Sequence, residues 1–129
     1  MENKFNESTP QRPDGNRIMD ASLVSIDLNH YKKMIREEDK WKEGARNAIT
    51  IYKSSEVRIL MIALHANGDL PRHSANGTIC VQVLEGKMNF STPDRTVELS
   101  EGKMIVLHKN IPHSVTAIEE TVFLLTVSM

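Results

Sequence analysis

From Ala48 to the end of the chain, apolar and polar residues alternate in short runs: AITIYK (48–53), VRILMIALHA (57–66), TICVQVL (78–84), KMNFS (87–91), RTVEL (95–99), KMIVLH (103–108), HSVTAI (113–118) and TVFLLTV (121–127). A period of two puts successive side chains on opposite faces of a strand. Between the runs stand turn signals, among them Asn67-Gly68-Asp69, Glu85-Gly86-Lys87, Thr92-Pro93-Asp94, Glu101-Gly102 and Glu119-Glu120. Short strands broken by such turns predict an antiparallel sandwich or barrel. No helical stretch long enough for a parallel crossover separates them, which argues against a doubly wound sheet. The period changes upstream. Leu28, Tyr31, Met34, Ile35 and Trp41 recur at helical spacing between Asp27 and Arg46, with Asp27 or Asn29 able to cap the start and Gly44 the end. That stripe is read as packing against the barrel. Ala21–Ile26 (ASLVSI) reads as a short first strand. Residues 1–20, polar and punctuated by Pro10, Pro13 and Gly15, read as a flexible arm, with strand addition to a partner subunit as the alternative.

Composition narrows the function classes. The 129 residues are 40% hydrophobic and 26% charged, which suits one globular domain over 21–129. Sixteen basic residues face 17 acidic ones, a net charge of −1, so nucleic acid is not an expected partner. No apolar run approaches the ~20 residues that span a bilayer, and the N-terminal segment has no apolar signal region. The single cysteine, Cys80, has no internal disulfide partner; with no secretion route visible, the expected compartment is a reducing cytoplasm. Cys80 reads as a structural thiol, and no phosphate loop, dinucleotide fingerprint, Gly-x-Ser-x-Gly or Cys-x-x-Cys is present.

The candidate chemistry lies in five histidines: His30, His65, His73, His108 and His113. His30 falls on the helix surface. His73 occupies an extended link after Gly68, and His108 and His113 flank Lys109-Asn110-Ile111-Pro112. Here the chain resembles a known family. The region 68–86, opening at Gly68 and closing on Val83-Leu84-Glu85-Gly86, is similar to the first motif of the cupin superfamily, in which a glycine precedes His-x-His, a glutamate and a closing glycine. Counted back from Gly86, His73 falls on the first histidine, Ala75 on the second and Ile79 on the glutamate. The region 102–117 follows the second motif, Gly-x5-Pro-x-Gly-x2-His-x3-Asn: Gly102 and His113 match, while His108, Asn110 and Ala117 replace the proline, glycine and asparagine. Asn110 suits the glycine position because Asn tolerates a left-handed backbone. The resemblance implies a cupin-type double-stranded β-helix, a jelly-roll barrel with one N-terminal helix.

What the resemblance implies about function turns on its departures. A cupin centre binds one divalent ion (Zn, Ni, Fe or Mn) through three histidines and a glutamate, of which this chain keeps His73 and His113. Two imidazoles fall short of the three protein ligands usual even in open catalytic sites. A third would have to come from His108 or His65. Without it, the two histidines are hydrogen-bonding groups of a largely apolar pocket. If Ile79 points inward, so do Val81 and Val83, and Phe90, Met104 and His108 are further candidates for its lining, with Met61 and Met88 as core or lining. The leading expectation is a small-molecule-binding cupin with no assignable reaction. The alternative is a metal-dependent oxygenase or isomerase using His73, His113 and a substitute ligand. A third is a sensing module acting through another polypeptide, since the chain has no room for a helix-turn-helix. A homodimer is expected because the stretch Arg58–Leu64 carries apolar residues on both faces and needs cover on two sides.

Overall fold

The period-two runs form two antiparallel sheets in the computed structural model, which describes residues 4–6 and 17–129, with side chains from Asp20 onward. The elements run β1 (Lys4–Asn6), β2 (Arg17–Asp20), α1 (Leu28–Glu37), α2 (Asp39–Glu43), β3 (Arg46–Lys53), β4 (Val57–Leu64), β5 (Asp69–His73), β6 (Thr78–Glu85), β7 (Lys87–Ser91), β8 (Thr96–Ser100), β9 (Met104–Leu107), β10 (His113–Ala117) and β11 (Thr121–Ser128). One sheet has the order β5-β10-β7-β8 and the other β3-β4-β11-β6-β9. Their inner faces enclose Ile62, Leu64, Ile79, Val81, Val83, Met88, Phe90, Leu99, Val115, Ala117 and Phe123. This is the antiparallel barrel that the pattern predicts, in the jelly-roll form that the resemblance implies.

The outer face of the five-stranded sheet is also apolar. Ile49, Ile51, Met61, Ala63 and Val122 are buried there beneath Ile35 of α1 and Trp41 of α2. The cover expected from a partner subunit is thus supplied over Met61 and Ala63 by the chain's own helices, and Met61 lies on this side, away from the barrel interior. The homodimer expectation loses its stated reason over this part of β4.

The expected single helix is broken at one residue. Asp27 caps α1, its carboxylate accepting from the His30 amide at 3.2 Å. At Glu38 the backbone turns extended (ψ 146°) before α2 begins, and α2 ends at Gly44, whose amide donates to Lys40 O at 3.1 Å. The break buries Glu38 against Asn47 of β3. Asn47 Nδ2 donates to Glu38 Oε1 at 2.7 Å and to Ile35 O at 3.1 Å. Arg36 and Lys32 of α1 tie the other side of the helix to the barrel, with Arg36 bonding Glu85 (2.7 Å) and Glu120 (3.1 Å) and Lys32 bonding Glu85 (2.9 Å). The two cations, Lys32 foremost, hold the Glu85 carboxyl below its usual range. Being partly exposed, such pairs orient the helix more than they stabilise it.

Three expectations about the backbone need correction. Ala21–Ile26 is not a strand: it runs irregularly with Leu23 86% exposed. Ile26, just before the cap, instead packs with Tyr31 into the helix-side cluster, the staple that fixes a helix entry. Within the expected flexible arm, Lys4–Asn6 and Arg17–Asp20 pair as an antiparallel ribbon; the rest of that segment lies outside the described residues. The link holding His73 is strand β5, at the edge of its sheet. Pro71 hides it from pattern reading, yet an edge strand is where a sheet tolerates proline. Asn110 does adopt a left-handed backbone (φ 64°). Gly86 (φ 93°) cannot be replaced, since a Cβ there would meet Glu120 O at 2.2 Å.

Asn47→Ala should destabilise the fold by about 2–3 kcal/mol in urea denaturation, because it strips a hydrogen bond from a buried carboxylate. A loss below about 0.5 kcal/mol, the range of an ordinary surface substitution, would mean that the Glu38–Asn47 contact does not hold the helices on the sheet.

Candidate functional site

Strand pairing builds the histidine site. In the β10–β5 ladder His113 stands opposite His73, so both rings lie on one face. Their centroids are 4.3 Å apart at 62°. Each ring is oriented by a carbonyl two residues earlier: His73 Nδ1 lies 2.8 Å from Pro71 O and His113 Nδ1 2.9 Å from Ile111 O. A carbonyl only accepts, so each Nδ1 carries a proton and donates; in the neutral ring this makes Nε2 the acceptor. His113 is 4% exposed. Burial, opposed by the Ile111 hydrogen bond and assisted by repulsion from His73, lowers its pKa from the ordinary 6.5.

Around the pair the structure gathers Ile79, Val81 and Phe90 together with Leu70, Val115, Phe123 and Leu125. They line a small space of about 10 Å³, room for roughly one water. Phe90 stacks on His113 with centroids 5.4 Å apart and an interplanar angle of 14°. Val83 is buried in the same core but does not line this space, and Met88 is core.

Met104 and His108 are not at the site. The register pairs Met104 with Gln82, Val106 with Cys80, Val81 with Ile105 and Ile79 with Leu107. Since Ile79 and Val81 face inward, Ile105 and Leu107 do too, and Met104 and Val106 face out, 52% and 64% exposed. Alternation grouped Met104 with Val106 and His108; it did not say which face was the inner one. His108 follows the end of β9 and is exposed. His65 serves the helices instead, stacking on Trp41 (3.5 Å, 14°) and donating from Nε2 to Trp41 O at 2.8 Å. Neither His108 nor His65 therefore joins the pair. Among the described residues no group of three or more His, Cys, Asp or Glu is placed to hold a metal ion. The apolar walls and two-imidazole donor set do not fit the four-donor cupin centre.

A larger space opens between the free edges of β8 and β9. This cleft of about 290 Å³ is half open to solvent and lined by Phe90, Thr92, Arg95, Val97, Ile105, Val106 and Leu107. Val97, paired with Phe90 across β7–β8, shares its inner face with Ile105 and Leu107 of β9. In the turn between β7 and β8, the Thr92 amide and hydroxyl both donate to Arg95 O (2.8 and 3.3 Å), which sets Arg95 at the rim. Among the described residues no carboxylate pairs with its guanidinium. Sequence reasoning missed this cleft, except for Phe90. The two edges are not hydrogen-bonded neighbours, so no spacing along the chain records their approach.

A family model for the AraC-like ligand binding domain matches residues 57–129. The chain belongs to that family, within the cupin superfamily. Among solved structures it is similar to a conserved protein of unknown function from Streptococcus pyogenes (24% identity over 85% of this chain and 90% of that one, TM-score 0.67). It is also similar to a cupin-2 domain containing protein from Shewanella frigidimarina (17% identity, 81% and 94% covered, TM-score 0.65). Salicylate 1,2-dioxygenase from Pseudoaminobacter salicylatoxidans shares the fold at 20% identity (65% of this chain, 25% of that one, TM-score 0.58). At these identities the likeness is one of fold. No curated protein matches the chain. No helix among the described residues is long and apolar enough to cross a membrane.

The lowered pKa of His113 has a consequence for stability. Between the folded value and the ordinary 6.5 the unfolded chain binds the extra proton. The stabilising contribution is therefore complete above pH 6.5 and is lost as pH falls through the folded value. The melting temperature of the wild type should drop further between pH 7 and pH 5 than that of His113→Phe, which keeps a ring on Phe90 without a titrating nitrogen. Parallel pH profiles would contradict the assignment.

Proposed function

We propose that this domain binds a small amphipathic carboxylate in the cleft between β8 and β9. The apolar body lies among Val97, Ile105, Leu107 and Phe90, and the carboxylate meets Arg95 at the rim. The observation that carries this reading is an open apolar space bordered by a cation that no carboxylate of the described residues occupies. Apolar walls with a few placed polar groups are the usual composition of small-molecule sites. The volume, near the lower end of the roughly 300–1,000 Å³ typical of such sites, selects a compact ligand. A guanidinium recognises a carboxylate through paired N–H donors, which gives orientation as well as attraction.

The supported activity is thus binding without an assigned reaction. Membership of a ligand-binding domain family is consistent with it. A metal-dependent reaction would need a third donor beside His73 and His113, and the positions of His65 and His108 offer none.

Hexanoate titrated into isotope-labelled protein should shift the signals of Val97, Ile105 and Leu107. Arg95→Ala should weaken binding by about fivefold, the roughly 1 kcal/mol of an exposed ion pair. Val97→Trp should block it by filling the cleft. Hexanoate that shifts none of these signals, or binds equally to all three proteins, would refute the proposal.

A further inference from the structure

The cleft and the histidine cavity share a wall. Phe90 lines both, and its side chain is almost wholly buried between them. On one side its ring stacks on His113; on the other it borders the space beside Val97, Ile105 and Leu107. His113 is itself held from two directions, by its hydrogen bond to Ile111 O and by the edge of His73, whose ring is fixed in turn by Pro71 O. Two backbone carbonyls thus orient two imidazoles, and the imidazoles support a phenyl ring. Behind that ring there is room for roughly one water; in front there is room for a ligand.

We propose that Phe90 is the specificity-determining floor of the cleft, limiting the length of apolar chain that fits, and that His113 and His73 are positioning residues that hold it in place. This rests on the cleft being the ligand site. It assigns the histidine pair a role that needs no metal. A rigid aromatic floor rejects extra methylenes because a close-packed core cannot yield to them without strain, whereas a missing ring leaves an apolar void that a longer ligand or an inert aromatic molecule can enter.

Two measurements test it, one independent of any carboxylate. Benzene added to wild-type protein should shift Val97 and Ile105 but leave the His113 ring signals unmoved. In Phe90→Ala it should shift all three, because the two spaces have become one. Benzene that reaches His113 in both proteins, or in neither, overturns the floor. For the second measurement, affinity along the straight-chain carboxylates should rise about fourfold per methylene until the chain meets the ring, then fall. Phe90→Ala should move that break to longer chains, with decanoate gaining about tenfold. Phe90→Leu serves if the alanine variant does not fold, with a smaller gain of the same sign. His113→Ala should blur the break and His113→Phe should restore it, which a merely structural role would not require. A break left in place by the Phe90 substitutions overturns the proposal even where hexanoate binds as expected. Failure of hexanoate to respond to Arg95→Ala would count against the carboxylate reading, and the benzene result would still decide on the floor.

Discussion

Alternation along β4, β6 and β11 gives the five-stranded sheet two apolar faces, and a sheet in that state must be covered twice. The four-stranded sheet covers one face, closing over Ile62, Val81 and Phe123; the helices cover the other, over Ile49, Met61 and Val122. The broken helix follows from this demand. A continuous helix through Glu38 would lack the extended residue at which the chain turns before Trp41 reaches the sheet. The Glu38–Asn47 hydrogen bond fixes that turn in the interior. Cover on both faces leaves β8 and β9 at the free ends of their sheets, and in the gap between those edges the barrel's inner lining opens toward a sizeable ligand space.

Much of this was legible in the sequence. Eight runs of alternation became β3, β4 and β6 to β11 with ends displaced by a residue or two, because hydrophobic period is a property of the chain itself. The helical stripe from Leu28 to Trp41 was legible for the same reason; the left-handed backbone at Asn110 followed instead from the resemblance, which puts Asn110 at a glycine position. Three features were not. β5 is interrupted by Pro71 and has too few apolar residues to show a period. The outward face of Met104 depends on which residue of β6 it pairs with, and register is a tertiary fact. The cleft arises where two edges approach without pairing, and Arg95 reads in sequence only as the first residue of a strand run.

The histidines show how a motif can persist while its chemistry changes. His73 and His113 fall on two histidine positions of the cupin motifs and stand opposite each other across β5 and β10, while the resemblance puts Ala75 and Ile79 where the other donors would be. Their carbonyl hydrogen bonds fix the tautomer as such bonds do in metal sites, yet the acceptor nitrogens share their cavity with Leu70, Ile79, Val81 and Phe123. His113 offers Phe90 a flat partner, the two rings stacking at 5.4 Å with an interplanar angle of 14°. On our account the carbonyl-oriented rings shape the inner end of the neighbouring cleft.

The most direct test of that account is a crystal structure of the protein soaked with hexanoate. The account predicts ligand density between Val97 and Ile105, with the carboxylate on Arg95, the alkyl end against Phe90, and the Phe90 ring still stacked on His113. Ligand density reaching His73 and His113 past a displaced Phe90, or a metal ion bound between the two imidazoles, would contradict it.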